Sequence, residues 1–449
     1  MSKQINEREL VLGILMEVLE QGRYSHIVLR EVLGKYQFLE KKERAFITRV
    51  SEGTIERMLE LDYIIDQFSK VKVKKMKPVI RNIMRSAVYQ LKYMDNVPDS
   101  AVCNEAVKLA VKRGFGTLRG FVNGVLRSIA RGLDTVEYPT EPIKALSVKY
   151  SVPEWILQVW KQEYDVETIE TMLQAFLKEK PLIVRCMDET PEGVKRLKED
   201  LEVEGVQVNI HPYLPYALEL SGIDYLDDLE SFQEGRFSVQ DISSMLVCEI
   251  ADPKEGDRVI DVCAAPGGKA VHMAEKLNGT GHVEARDLTE YKVELIWDNI
   301  DRTGLENIEA VQWDALVLDE EAKESADIVI ADLPCSGLGV FGKKTDLKYK
   351  TKEESLKELA NLQRNILQNV QSYVKRGGKL IYSTCTINPA ENMENVHWLL
   401  EQYPEFELVD IQPVLCEGLR ESVQEKGCLQ FLPGIHKSDG FFIAALKKK

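Results

Sequence analysis

Apolar residues recur through the first 135 or so positions at the spacing of buried helix faces. Leu10, Val11, Ile14, Leu15, Val18 and Leu19 form one stripe; Phe121, Val122, Val125, Leu126, Ile129 and Ala130 form another. Pro78 suits a first helical turn, where its missing N–H costs nothing. Val79, Ile80, Ile83, Met84, Ala87, Val88, Leu91 and Met94 then follow at helical spacing. Asn96-Val97-Pro98-Asp99-Ser100 breaks this pattern, with Asp99 and Ser100 as caps for the next helix. The region predicts a helical bundle over residues 1–138, with a linker across Gly132–Pro142. Over residues 139–235 helical segments alternate with short strand-like runs, Leu182–Cys186 and Val206–Val208, which predicts a small α+β unit. After about Phe237 the pattern becomes strand–helix alternation. Arg258–Ala264, His282–Asp287, Ile308–Asp314, Asp327–Asp332 and Lys379–Thr384 are the strand candidates. Residues 236–449 therefore predict a Rossmann-like α/β domain with a mostly parallel sheet.

Length agrees with this division, since 449 residues hold about three domains of roughly 150 each. The start, Met1 to Glu9, is too charged for a secretory signal, and no apolar run nears the roughly 20 residues that span a bilayer. A cytoplasmic chain with no membrane partner is expected. The eight cysteines are scattered and form no C-x-x-C pair, so neither a metal site nor a disulfide framework is expected. Charge changes the picture more. The net charge of −15 is unlike a nucleic-acid binder, but residues 1–150 carry +8 and the remainder −23. Between Phe68 and Met94 there is no acidic residue, whereas Lys70, Lys72, Lys74, Lys75, Lys77, Arg81, Arg85 and Lys92 are basic. Lys72, Lys74, Lys75, Lys77 and Arg81 are the candidate RNA-backbone contacts.

The sharpest chemical signal is Val259-Ile260-Asp261-Val262-Cys263-Ala264-Ala265-Pro266-Gly267-Gly268-Lys269. An apolar strand runs into a Gly-Gly turn and a helix, the way a doubly wound fold opens a nucleotide pocket. G-x-G-x-x-G is absent, which argues against a dinucleotide and for a cofactor without phosphates. Asp287, Asp314 and Asp332 stand at or near successive strand ends and converge on the same crevice, the first where a carboxylate grips ribose hydroxyls. Asp332-Leu333-Pro334-Cys335-Ser336-Gly337 and Ser383-Thr384-Cys385-Thr386 close two further strands. Two cysteines are thus expected at neighbouring strand ends, where a thiol is more often reactive than structural. A thiol, a carboxylate and a methyl donor together suit methylation of carbon 5 of cytosine. Thiolate addition at carbon 6 makes carbon 5 nucleophilic, and the base must be unstacked for this. Which cysteine attacks is open at this point.

These motifs resemble the RNA cytosine-5 methyltransferases, in particular the bacterial Sun/Fmu type. The resemblance covers nearly the whole chain and includes Val239-Gln240-Asp241, Asn388-Pro389, Glu391-Asn392 and His436-Lys437-Ser438-Asp439-Gly440-Phe441-Phe442. Val97–Val107 and Gly120–Arg127 look like a helical NusB-type RNA-binding domain. The resemblance implies S-adenosylmethionine as cofactor, held by Cys263, Ala264, Ala265, Pro266, Gly267, Gly268 and Lys269 with Asp287, Asp314 and Asp332. It implies 16S rRNA as partner, nucleophilic attack by Cys385, help in product release from Cys335, and Asp332 beside the reacting base. Ala270 and Lys437-Ser438 depart from the family's usual threonine and Gly-Thr. Three rival readings are the same chemistry on tRNA, a non-catalytic RNA-binding factor, and a Rossmann-type dehydrogenase.

Overall fold

The apolar stripes of the first region become the inward faces of a helical bundle. Helices α1 (Glu7–Leu19), α2 (Ser25–Lys35), α3 (Lys41–Glu56), α4 (Met58–Phe68), α5 (Pro78–Tyr93), α6 (Asp99–Lys112) and α7 (Arg119–Gly132) share one buried core. Val11, Ile14, Leu15 and Val18 from α1 and Val122, Leu126 and Ile129 from α7 lie in it. At Gly53 a Cβ would stand 2.1 Å from the Tyr89 ring, so the approach of α3 to α5 requires glycine. One sequence expectation fails locally. Pro98 takes the cap position of α6, and neither Asp99 nor Ser100 caps by side chain. The helix starts one residue early, so Asp99 lies within its first turn, where a carboxylate still complements the dipole.

This computed structural model describes residues 6–449 and divides into two compact units. The charged start was read from Met1 to Glu9, and its first five residues lie outside the described ones. The first unit runs to Leu177 and also includes Phe341–Lys352. Helices α8 (Pro142–Tyr150), α9 (Glu154–Trp160) and α10 (Val166–Phe176) complete it. The later segment docks there by specific contacts. Phe341 packs 6.0 Å from Trp160 and 5.4 Å from Phe176. Asp346, itself buried, accepts from the Ser25 N–H at 3.1 Å and O–H at 2.7 Å.

The second unit holds Lys178–Val340 and Glu353–Lys449. Strands β1 (Leu182–Cys186), β2 (Gln207–Ile210), β3 (Ala217–Ser221) and β4 (Phe237–Val239) form an antiparallel sheet in the order β2-β3-β1-β4. Residues 139–235 therefore fall in both units. The small sheet goes with the large one because Val184, Leu218 and Phe237 share a core with Val259 and Ile330.

Strands β5 (Arg258–Asp261), β6 (His282–Asp287), β7 (Ile308–Gln312), β8 (Ala326–Asp332) and β9 (Val374–Thr384) run parallel in the order β7-β6-β5-β8-β9. The Rossmann-like, mostly parallel sheet expected from the alternation is present. Chain order reverses beside β5, which places a crevice at the carboxyl ends of β5 and β8. Two expected strands end early, at Asp261 and Gln312, because the following residues turn into loops above the sheet. Missing from the expectation are β10 (Phe406–Leu408), β11 (Val423–Glu425), β12 (Cys428–Phe431) and β13 (Phe441–Lys448). These extend the sheet antiparallel from β9. Among the described residues no helix is long and apolar enough to cross a membrane.

Candidate active site

The loop after β5 is threaded between its neighbours. The Val262 N–H donates to Ile330 O on β8, and the Ala264 N–H to Arg286 O on β6. Gly267 then caps the helix Gly268–Lys276 with φ +104°, and a Cβ there would stand 3.2 Å from Ile296. Glycine alone meets both demands. Cys263 to Lys269 consequently form one tight turn on the crevice.

Around this turn the acids take different roles. Asp287, buried, accepts from the Ala265 N–H at 3.0 Å, the Leu288 N–H at 2.7 Å and Lys292 at 2.9 Å. Asp314 is half-buried beyond the end of β7 and accepts from the Leu316 N–H. Asp332 pairs with Lys269 at 2.5 Å through Oδ2 and accepts the Ser383 O–H at 2.9 Å through Oδ1. Asp332 and Ser383 are register partners across β8 and β9. The Lys269 ammonium also lies 5.6 Å from the Phe441 ring centroid. Burial pulls its pKa down, but Asp332 and Asp261 outweigh that and raise it.

Sequence reasoning passed over Asp261. It is buried at the end of β5, and neither carboxylate oxygen has a hydrogen-bond partner. Burial pushes it up to about 7; Lys269 opposes this and Asp332 adds to it. Its ordinary value is 3.8, so between about pH 4 and 7 the folded chain holds a proton that the unfolded chain has lost. Stability therefore falls as pH rises through that window. Asp261→Asn removes this loss. The variant should be more stable than the parent at pH 8, by up to about 4 kcal/mol, with the gap closing near pH 4. Urea unfolding at the two pH values checks this, and equal stability at pH 8 would refute it.

The two cysteines meet. Cys335 Sγ and Cys385 Sγ are 3.1 Å apart, both half-buried, just past the ends of β8 and β9. The hydrogen bond with Cys385 is the first cause that raises the Cys335 pKa well above its ordinary value. Burial, the Cys385 charge and Glu391 add to it. Cys263 is also pushed up, by burial and then by Asp261, so it stays a thiol. Cys103, Cys186, Cys248 and Cys428 are buried, as structural cysteines are.

The basic run is only partly available. Lys70, Lys72, Lys74, Lys75 and Lys77 are exposed, with Lys72 donating to Asp66 O at 2.8 Å. Arg81 is less available than the lysines: its guanidinium pairs with Glu20, with Nε at 2.9 Å. Arg85 is likewise held by Asp62 at 2.6 Å. Elsewhere Glu189, Glu249 and His272 bring ligand atoms within 4.8 Å of one another. Lys276 already pairs with both glutamates, at 3.3 and 2.7 Å, and supplies the positive charge a metal would bring.

Residues 248–447 match the family model described as 16S rRNA methyltransferase RsmB/F, and residues 5–131 match the NusB family. The chain is 35% identical to the probable ribosomal RNA small subunit methyltransferase B of Bacillus subtilis, with both chains covered completely. It belongs to the ribosomal RNA small subunit methyltransferase B family. A Synechocystis relative of the same description is 31% identical over 99% of this chain and 100% of its own. The Escherichia coli methyltransferase B is 29% identical over the full length of both. Among solved structures, PH0851 superposes with a TM-score of 0.82 at 26% identity, covering 99% of each chain. NSun6 from Pyrococcus horikoshii, in a structure with SFG, shares the fold with a TM-score of 0.58 at 22% identity. That match covers 66% of this chain and 98% of NSun6. Membership explains the pairing of a NusB-family region with a methyltransferase-family region in one chain.

Proposed function

We propose that this methyltransferase B family chain methylates carbon 5 of a specific loop cytosine in 16S rRNA through a transient bond from Cys385 to carbon 6. The observation that carries the reading is the 3.1 Å approach of Cys335 and Cys385 beside the Asp332–Lys269 pair. A thiol pair is superfluous for methylating a hydroxyl or an exocyclic amine, whose lone pairs attack directly. It is needed for a ring carbon, which becomes nucleophilic only after addition to the ring.

The crevice suits S-adenosylmethionine, a cation with hydroxyls and no phosphate. Its floor carries Asp261, an orphaned buried carboxylate, with Asp287 and Asp332 beside it, and the loop lacks the G-x-G-x-x-G of a pyrophosphate site. Cys263 to Lys269, Asp287, Asp314 and Asp332 are the residues that would hold it. When bound, the cofactor supplies an electrophilic methyl on a sulfonium.

The side chains have three tasks. The Cys385 thiolate adds to carbon 6, and the electron pair of the 5,6 double bond makes carbon 5 the nucleophile. Asp332, held by Lys269 and Ser383, is the carboxyl group we assign to steady the N3 and amino edge as charge develops. After methylation Cys335 gives its own proton to solvent and, as a thiolate, takes the carbon-5 proton. That C–H electron pair re-forms the double bond, and the bond to Cys385 breaks. The two sulfurs share one hydrogen bond at 3.1 Å in which either can donate, and with Cys335 as the donor a neutral Cys335 steadies a Cys385 thiolate. Once Cys385 is bonded to carbon it carries no charge, and Cys335 is freer to ionise.

The exposed lysines from Lys70 to Lys77 supply the phosphate contacts, and an enzyme of ribosomal RNA works in the cytoplasm. The test uses 16S rRNA and tRNA from a strain lacking the gene, labelled methyl donor, and mapping of the modified base. 5-Methylcytidine in 16S rRNA is expected, and label confined to tRNA would overturn the substrate. In the same assay, neutralising Lys72, Lys74 and Lys75 should raise KM for RNA, leave kcat unchanged, and flatten the salt dependence by about one slope unit per lost contact.

A further inference from the structure

We infer that Glu391 is a positioning residue that clamps the two cysteine loops together. It is buried just beyond β9, and four donors converge on its carboxylate. Oε1 accepts from the Ser336 O–H at 2.5 Å and the Asn388 side-chain amide at 2.9 Å. Oε2 accepts from the Ser336 N–H at 2.8 Å and the Gln363 amide at 3.0 Å. Gln363 also donates to Pro334 O at 2.9 Å, so the chain is gripped on both sides of Cys335. On the other loop, Thr386, which follows Cys385, exchanges a hydrogen bond with Ser336 at 2.8 Å and accepts from the Asn388 N–H at 3.2 Å. The Tyr382 hydroxyl donates to Glu391 O and ties the clamp to β9.

The chemistry requires an acid. Only a carboxylate offers two acceptor oxygens with about four lone-pair sites and no proton. Glutamine in its place turns one oxygen into an amide nitrogen, which faces the Asn388 amide donor to donor. A donor left unpaired in a buried site is costly, so the loops are expected to part rather than tolerate it. Glu391 touches neither sulfur; it acts through Ser336, Asn388 and Gln363.

The first test reads loop apposition without any RNA. Diamide oxidises two nearby thiols to a disulfide; the thiols give up two electrons and two protons, and the diazene becomes a hydrazine. In the full chain, peptide mapping should find a Cys335–Cys385 link that forms at least about tenfold more slowly in Glu391→Gln. Glu391→Asp, which keeps four acceptor sites on a shorter arm, should recover part of the rate. Ser336→Ala, which removes one donor, should slow it by about threefold. Linking at the parental rate in Glu391→Gln overturns the inference. Should that variant not fold, a parental rate in Ser336→Ala does so. The second test rests on the covalent mechanism proposed above. Glu391→Gln should retain the RNA adduct and lose kcat at unchanged KM for the methyl donor. If Cys335→Ala and Glu391→Gln both form no RNA adduct while the linking rates differ as expected, the covalent reading fails and the clamp stands.

Discussion

Replacement of Cys385 by alanine is expected to lower methyl transfer to 16S rRNA by more than about 10⁴-fold while RNA affinity stays within about twofold of the parent. Carbon 5 of cytosine has no lone pair to offer, and the sulfur at carbon 6 is what gives it electron density. Orienting the base and holding the methyl donor leave that deficit in place, so the loss falls on kcat. Labelled-methyl transfer and filter binding, run on the same preparations, separate the two quantities. The 3.1 Å contact treats the cysteines alike, and the asymmetry rests on the family resemblance, which assigns attack to Cys385. If Cys385→Ala kept activity within about tenfold and Cys335→Ala abolished it, the two roles would have to be exchanged.

Cys335→Ala should behave in a different way. Attack by Cys385 remains possible, one methyl is transferred, and the product stays attached because no group takes the carbon-5 proton. A protein–RNA band stable to denaturation should accumulate to a large fraction of the enzyme, where the parent shows about none, and turnover should fall by about 10²-fold or more. The same assignment gives a pH signature with a definite sign. In the adduct the influence of Cys385 is gone, but burial still favours the neutral Cys335 thiol, whose ordinary value is already 9.0, so release in the parent should quicken as pH rises. The variant should lose that dependence. Normal turnover of Cys335→Ala with no band would remove Cys335 from the chemistry.

Much of this was readable from the chain alone. The stripes on α1, α5 and α7 were legible because burial of one face imposes a period, and the five parallel strands because short apolar runs alternate with helical stretches. The motif cysteines were legible because each lies a few residues beyond an apolar run, Ile328–Ile330 or Leu380–Tyr382, where polar residues mark the strand end. β10 to β13 were harder. They are short or all apolar, and Phe441 to Leu446 has no alternation from which to read a strand, because both faces are covered. Arg81 looked available among lysines, and only the packing of α1 against α5 brings Glu20 to it.

The sequence by itself determined the helical bundle, the five parallel strands and their chain order, and which residue types stand at the carboxyl ends of β5, β6, β8 and β9. Those follow from local periodicity and turn chemistry, which involve residues a few positions apart. The fold decided whatever depends on distances between residues tens or hundreds of positions apart: that the sulfurs of Cys335 and Cys385 touch, that Asp261 has no partner, that Glu391 collects four donors, and that Phe341–Lys352 docks with the helices. Contact and burial are properties of the closed three-dimensional packing, in which each side chain's surroundings are supplied by segments remote in the chain.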